Sequence, residues 1–256
     1  MKAVVASLLS VAALFVPISG ALSAEVEAFP PTGTYQTDKR GAITVWGLPV
    51  VPQSAEQPYS IGVRGDVLRL EVREGDRRRK PSEADRPIER CEVMFPEQSF
   101  AFGKTYAIRF AMMFEPGPAS TAKNDKFFQV HNVNDKGDGI LGPVFAMQLE
   151  DEHMRIVVRW DAERITKKRV EDHWVFEDTA DIRRGQWYDF DVVVRFDPFG
   201  KGLLTVRRDG VELVNYDGPL GYNDELPPYP KVGIYRDTRP EPQARRYRAL
   251  TITELK

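Results

Sequence analysis

Beyond residue 40 the chain alternates. Apolar and polar residues exchange places at every second position, in short runs cut by glycine and proline. In Val67–Arg73, Leu68, Leu70 and Val72 fall on one side and Arg69, Glu71 and Arg73 on the other. Lys104–Phe114 groups Tyr106, Ile108, Phe110 and Met112 against Arg109. Trp187–Phe196 groups Tyr188, Phe190, Val192, Val194 and Phe196 against Asp189, Asp191 and Arg195. A strand turns successive side chains to opposite faces, so each run predicts a half-buried β-strand. Asp209-Gly210, between Leu203–Arg208 and Val211–Tyr216, predicts a hairpin, because both turn residues tolerate positive φ. Further strands are predicted near 44–50, 88–95, 126–132, 143–150, 154–160, 231–237 and 247–254.

With 19 glycines and 19 prolines the punctuation is too dense for a helix of ordinary length. Regularly spaced strands without helices predict an all-β fold, an antiparallel sandwich or barrel. No internal repeat or long linker divides the chain, so residues 25–256 are read as one domain. A composition of 42% hydrophobic and 29% charged residues excludes disorder and fibrous repeats. Lys plus Arg is 36 and Asp plus Glu is 38, a net charge of -2. That excludes a global basic field, so no nucleic acid is expected, and an anionic partner must be met by a local cluster. The single cysteine, Cys91, excludes an intrachain disulfide and a cysteine-based zinc site.

The start of the chain is of another kind. Lys2 precedes an apolar stretch from Ala3 to Ile18, and small residues follow through Ala24. This is the pattern of a secretory signal peptide over residues 1–24, cleaved after Ala21, Ser23 or Ala24. The stretch is short for a membrane span. The mature protein is therefore expected to be secreted or periplasmic, with no membrane attachment after cleavage. Its lone thiol should be buried or inert.

Three short pieces combine an apolar underside with a polar upper side. In Glu89-Arg90-Cys91-Glu92-Val93, Arg90 and Glu92 share one face. In Phe127-Phe128-Gln129-Val130-His131-Asn132, Gln129 and His131 share a face, with Phe128 and Val130 opposite. In Tyr229-Pro230-Lys231-Val232-Gly233-Ile234-Tyr235, Lys231, Gly233 and Tyr235 lie together. Gly233 removes a side chain from that face, which reads as room for something to approach the sheet. Each piece alone fits an ordinary solvated strand. Together they can line one concave sheet with a cation, an amide, an imidazole and a phenol. Such a set suits removal of a carbon-bound proton next to a carboxylate.

The order Arg-x-Glu-Val, Gln-Val-His, Tyr-Pro-Lys-Val-Gly-Ile-Tyr resembles the jelly-roll polysaccharide lyases. Alginate, glucuronan and heparin lyases are the nearest families. The resemblance implies a concanavalin-like jelly roll with a concave substrate groove, and β-elimination at a uronic acid with no required cofactor. It implies that Arg90 and Gln129 neutralise the carboxylate. His131 helps neutralise it or acts as base, and Tyr235 is the acid and potentially the base too. Glu92, Asn132, Tyr229 and Lys231 are the expected substrate-binding residues. The alginate pattern has a second Arg where Met94 stands and Gln where Asp237 stands. Those departures point to a different uronate polymer or to the heparin-lyase-like branch. The expected partner is an acidic polysaccharide, and the expected state is a monomer.

Other features carry less. His153 and His173 sit in charged stretches without metal-ligand spacing and read as surface residues. Asn132–Asp138 looks like a calcium loop but lacks a closing Glu and has Lys136 at a ligand position, so a turn or a lid is expected. A structural calcium ion has no support there. The basic run in Asp76–Lys80 reads as a solvated loop, with contact to a polyanion as the alternative. A glycoside hydrolase would need two carboxylates facing one groove, and Glu89 and Glu92 cannot share a strand face. A binding-only, lectin-like protein of the same fold is the alternative to a lyase.

Overall fold

The structure, a computed structural model, describes residues 41–78 and 87–256. The signal-peptide reading, the lead-in to residue 40, and Arg79 and Lys80 of the basic run lie outside the described residues. The chain runs through β1 (Ile43–Val45), β2 (Leu48–Gln53), β3 (Ile61–Arg64), β4 (Val67–Val72), β5 (Ile88–Met94) and β6 (Thr105–Phe114). It continues through β7 (Asp125–His131), β8 (Phe145–Glu150), β9 (His153–Val158), β10 (Trp160–Asp161) and β11 (His173–Glu177). The last strands are β12 (Trp187–Arg195), β13 (Asp197–Arg208), β14 (Val211–Tyr222), β15 (Tyr229–Asp237) and β16 (Gln243–Leu255).

Among the described residues the strands form two eight-stranded sheets, and every ladder is antiparallel except the short β10–β14 pair. One sheet runs β1-β2-β5-β15-β7-β8-β9-β11, the other β10-β14-β13-β12-β6-β16-β4-β3. The fold is the expected all-β sandwich. The period-two faces meet between the sheets. Phe110 of β6 stacks on Phe128 of β7 at 5.0 Å and on Phe190 of β12 at 5.2 Å between ring centroids. Phe114 meets Phe127 edge-on at 5.4 Å. Each such ring contributes about 1.5–3 kcal/mol through burial.

Cys91 is fully buried, and its Sγ donates to the carbonyl of Ser60 at 2.9 Å. Burial raises its pKa, so the thiol is inert as expected.

Two charged groups cross the core beneath the first sheet. Arg236 pairs with Glu89 at 2.7 Å, with both side chains wholly buried. Arg245 of β16 pairs with Asp125 at 2.5 Å. Its Nη1 also donates to the carbonyls of Lys126 and Gly233, each at 2.8 Å. The hydroxyl of Tyr247 donates toward Phe127 O at 2.9 Å and Gly233 O at 3.0 Å. The reason lies in the ladders. Pairing shifts register between Lys126 and Phe128 on β7 and between Val232 and Tyr235 on β15. Such irregularities leave carbonyls outside the ladder, and side chains of the opposite sheet satisfy them.

The Asp209-Gly210 hairpin is present, with φ of 52° and 79° at its two turn residues. The strand expected at 44–50 is instead a hairpin. Trp46 and Gly47 take φ of 52° and 77°, and β1 folds back on β2. Tryptophan is not a turn residue by propensity, so alternation read straight through it. Two strands not expected, β3 and β11, are edges of their sheets. β11 has no buried face that alternation could reveal.

Candidate active site

The first sheet places β15 between β5 and β7, so three segments distant in sequence become neighbours. Tyr235 stands in register with Arg90 on one side and Lys126 on the other. Lys126 is in turn opposite Gln148, and Gln148 opposite Arg155. A second row passes from Met94 through Lys231 to Gln129 and Ala146. His131 and Tyr229 form the start of a third. These rows are the floor of a trough with a cavity of about 980 Å³ that crosses the strands and reaches Trp174 on β11.

Among the described residues, seven Lys or Arg side chains line the trough against two carboxylates, Glu150 and Asp172. A chain with a net charge of -2 has thus gathered a cationic surface at one place. Arg90, Lys126, Arg159 and Lys231 are buried in its floor, while Lys123 and Arg169 stand exposed at its rim.

The four residues expected to carry chemistry all line this trough: Arg90, Gln129, His131 and Tyr235. The Arg90 guanidinium carbon lies 4.7 Å from the centre of the Tyr235 ring. Arg90 also donates to Gln53 Oε1 at 3.1 Å, and Lys231 donates to the same oxygen at 3.3 Å. Gln53, on β2, therefore sets two of the cations. Sequence reasoning missed it, because its strand was read as ending before it.

Of the expected substrate-binding residues, Tyr229 and Lys231 are in the trough wall. The Lys231 ammonium lies 5.6 Å from the centre of the Tyr229 ring. Burial raises the Tyr229 pKa, aided by Glu92. Glu92 and Asn132 lie elsewhere than expected. Glu92 is 1% exposed and sits beneath the wall, where it accepts the side-chain amide of Gln129 and lies 3.5 Å from Arg90 Nε. Asn132 is 3% exposed, and its amide turns into the next loop to reach Asn134 Oδ1 at 2.9 Å. Both act as supports for residues that face the trough.

His131 is held by the carbonyl of Asn132, 3.0 Å from Nδ1. A carbonyl only accepts, so Nδ1 carries the proton and Nε2 keeps its lone pair. Burial lowers the imidazole pKa to about 3, assisted by the charges of Lys231, Arg90 and Lys126. At neutral pH the ring of the unliganded protein is therefore uncharged.

Lys126 was missed. Strict alternation from Gln129 puts it on the core face. The irregularity at Phe127 turns both Phe127 and Phe128 inward and returns Lys126 to the trough. Gly233 also differs from its reading. An added Cβ there would lie 2.3 Å from Cys91 O and 2.6 Å from Glu92 Cα. The space that glycine leaves is filled by β5 itself, not by a ligand.

Outside the floor, Asp135 N donates to Asp138 Oδ2 at 2.7 Å, which closes a turn within the stretch read as a turn or a lid. Asp135, Asp138 and Asp224 bring their oxygens within 4.8 Å of one another, and Arg164 pairs with Asp135. His173 is exposed and stacks on Trp160, and His153 meets Asp181 at 3.1 Å.

The family model described as Polysaccharide lyase matches residues 88–250, well over half of the chain. An endo-β-1,4-glucuronan lyase from the fungus Trichoderma reesei superposes with a TM-score of 0.62 at 11% identity, covering 80% of this chain and 87% of its own. An alginate lyase of polysaccharide lyase family 7 gives 0.53 at 14% identity, over 77% and 82%. An alginate lyase from Pseudomonas aeruginosa gives 0.51 at 17% identity, over 78% and 88%. At these identities the likeness is one of fold. A search of curated proteins found no match.

Proposed function

The chain belongs to the polysaccharide lyase family, and we propose that it cleaves a uronate-containing polysaccharide by β-elimination in this trough. The observation that carries the reading is the convergence of Arg90, Gln129, neutral His131 and Tyr235 on one cationic floor.

The chemistry starts from a weak acid. The C5 proton of a uronate sits beside a carboxylate, and its removal spreads a second negative charge into that carboxylate. Arg90 and Lys231 offset this charge, and the amide of Gln129 donates a hydrogen bond to it. One N–H of Gln129 is held by Glu92, which leaves the other for the substrate. A base takes the C5 proton. The electron pair forms the C4–C5 double bond, and the bond from C4 to the glycosidic oxygen breaks. That oxygen takes a proton from Tyr235. One proton leaves and one is returned, and no water is consumed.

Nε2 of His131 is the acceptor the structure leaves open, and Tyr235 is the second group able to accept. Burial and three cations hold the imidazole down. A bound carboxylate offsets the cations, so substrate binding raises the basicity of His131 at the moment it is needed. The scheme runs on side chains alone. Met94 in the trough wall supplies no charge where the alginate pattern has an arginine, which favours a uronate polymer other than alginate. Action outside the cytoplasm as a monomer, after loss of residues 1–24, completes the proposal.

The test is a panel of glucuronan, alginate, heparin, hyaluronan and pectate, scored for the ultraviolet absorbance of the unsaturated uronate. Product from at least one polymer, lost in Tyr235→Phe while binding persists, is the expected result. Binding without any unsaturated product would leave the lectin-like alternative standing.

A further inference from the structure

Lys126 enters the scheme above only through its charge on His131, yet it stands in register with Tyr235 on the trough floor. It is 6% exposed and lines the cavity floor. Its ammonium lies 5.2 Å from the centre of the Tyr235 ring, and Arg90 approaches the same ring from the neighbouring strand. The row Arg90–Tyr235–Lys126 thus brackets one phenol with two cations.

A buried ammonium is costly unless a carboxylate pairs with it. Lys126 donates to the neutral amide oxygen of Asn124. Among the described residues the nearby acids are engaged elsewhere: Glu92 with Gln129 and Arg90, Asp172 with Arg159, and Asp125 with Arg245. The backbone irregularity at Phe127 is what brings Lys126 to the trough at all. A fold that kept Lys126 on the regular alternation would have put it in the core.

We propose that Lys126 is a positioning residue for the elimination: its ammonium, opposite Arg90, orients the phenol of Tyr235 and supports the negative charge that gathers at the phenol oxygen as a proton moves. This rests on the lyase reading above. Burial lowers the Lys126 pKa to about 8, with Arg159 lowering it further and Glu92, Asp172 and Asp125 opposing. The charged and titratable groups facing it are Arg90 and Glu92 on β5, Tyr235 on β15, Arg159 after β9 and Asp172 before β11. His131 and Asp125 share its own strand. The ammonium form is present below that pKa, so activity that depends on it falls as pH rises through about 8.

The experiment compares pH–rate profiles of the full-length wild type, Lys126→Arg and Lys126→Met on the polymer that gives product. The wild type is expected to lose kcat/KM, which follows the free enzyme, through an alkaline limb near pH 8. Arginine stays charged and moves that limb to higher pH. Methionine lowers kcat on the order of 100-fold, the size of removing one preorganised electrostatic group, changes KM little and abolishes the limb. Where arginine is not accommodated, the methionine profile decides alone, with near-ultraviolet circular dichroism as the check on folding. A folded Lys126→Met with wild-type kcat and an unchanged alkaline limb overturns the inference and leaves the lyase reading intact. A wild type that cleaves no polymer overturns both.

Discussion

Gln129 gives its side-chain amide to the buried carboxylate of Glu92. That bond fixes which end of the amide faces the trough, and the same carboxylate lies 3.5 Å from Arg90 Nε. One acid therefore orients two of the groups expected to hold the substrate. Glu92→Ala should lower kcat/KM by roughly 10- to 100-fold, the usual effect of losing a supporting partner behind an active group. Steady-state kinetics on the cleaved polymer would show it. An unchanged kcat/KM in a folded variant would mean that Gln129 and Arg90 hold their places without it.

His131 links acidity to stability. Its pKa is about 3 when folded against 6.5 for the free side chain, chiefly through burial. Between those values the unfolded chain binds the proton and the folded one does not. The sign is then fixed: stability is unaffected above about pH 6.5 and falls as pH drops toward about 3. The full span corresponds to roughly 3–5 kcal/mol. His131→Gln should flatten this part of the acid dependence, measured as urea midpoints across the interval. Parallel curves for the two proteins would remove the argument.

Lys126 should show the opposite balance of stability and activity. Its depressed pKa means that the charged form costs folding free energy, fully so below about pH 8 and less as pH rises above it. Lys126→Met should therefore gain about 1–3 kcal/mol at neutral pH. A higher melting temperature is the readout. A large loss of stability would show that the ammonium is needed for structure.

Gly233→Ala tests the join of β5 and β15. Glycine there has φ of 141° and leaves no room for a Cβ against Cys91 O. Both the backbone strain and the clash oppose the methyl group, and Arg245 and Tyr247 pin the Gly233 carbonyl from below. A loss of about 3 kcal/mol or more is expected, seen as a lowered denaturation midpoint or as failure to fold. A variant as stable as the wild type would require β15 to shift freely, which the bracing beneath it opposes.

The two sheets and most of the floor were legible because they obey period two. Arg90, Gln129, His131 and Lys231 stand on regular stretches of strand, and Tyr235 keeps period two along the unbroken β15–β5 ladder, so alternation assigned their faces. The same rule failed where the backbone departs from it. It placed Lys126 in the core because the irregularity at Phe127 is not encoded in residue type. It read residues 44–50 as one strand because Trp46 takes a turn conformation without a turn residue's propensity. Burial was also hidden: Glu92 shares a face with Arg90, but depth depends on the neighbours that β15 and β7 bring. Gln53 went unread for a similar reason, since its role exists only once β2 lies beside β5.

The insertion of β15 between β5 and β7 has a consequence for how the chain acquires its chemistry. β5 and β7 are made before β15, and until β15 lies between them there is no Tyr235 between Arg90 and Lys126. On the proposed scheme, a chain cut before β15 keeps Arg90, Gln129 and His131 but lacks the phenol, and is expected to give no unsaturated product. On that scheme, turnover reports that the long-range pairing of β15 with both neighbours has closed.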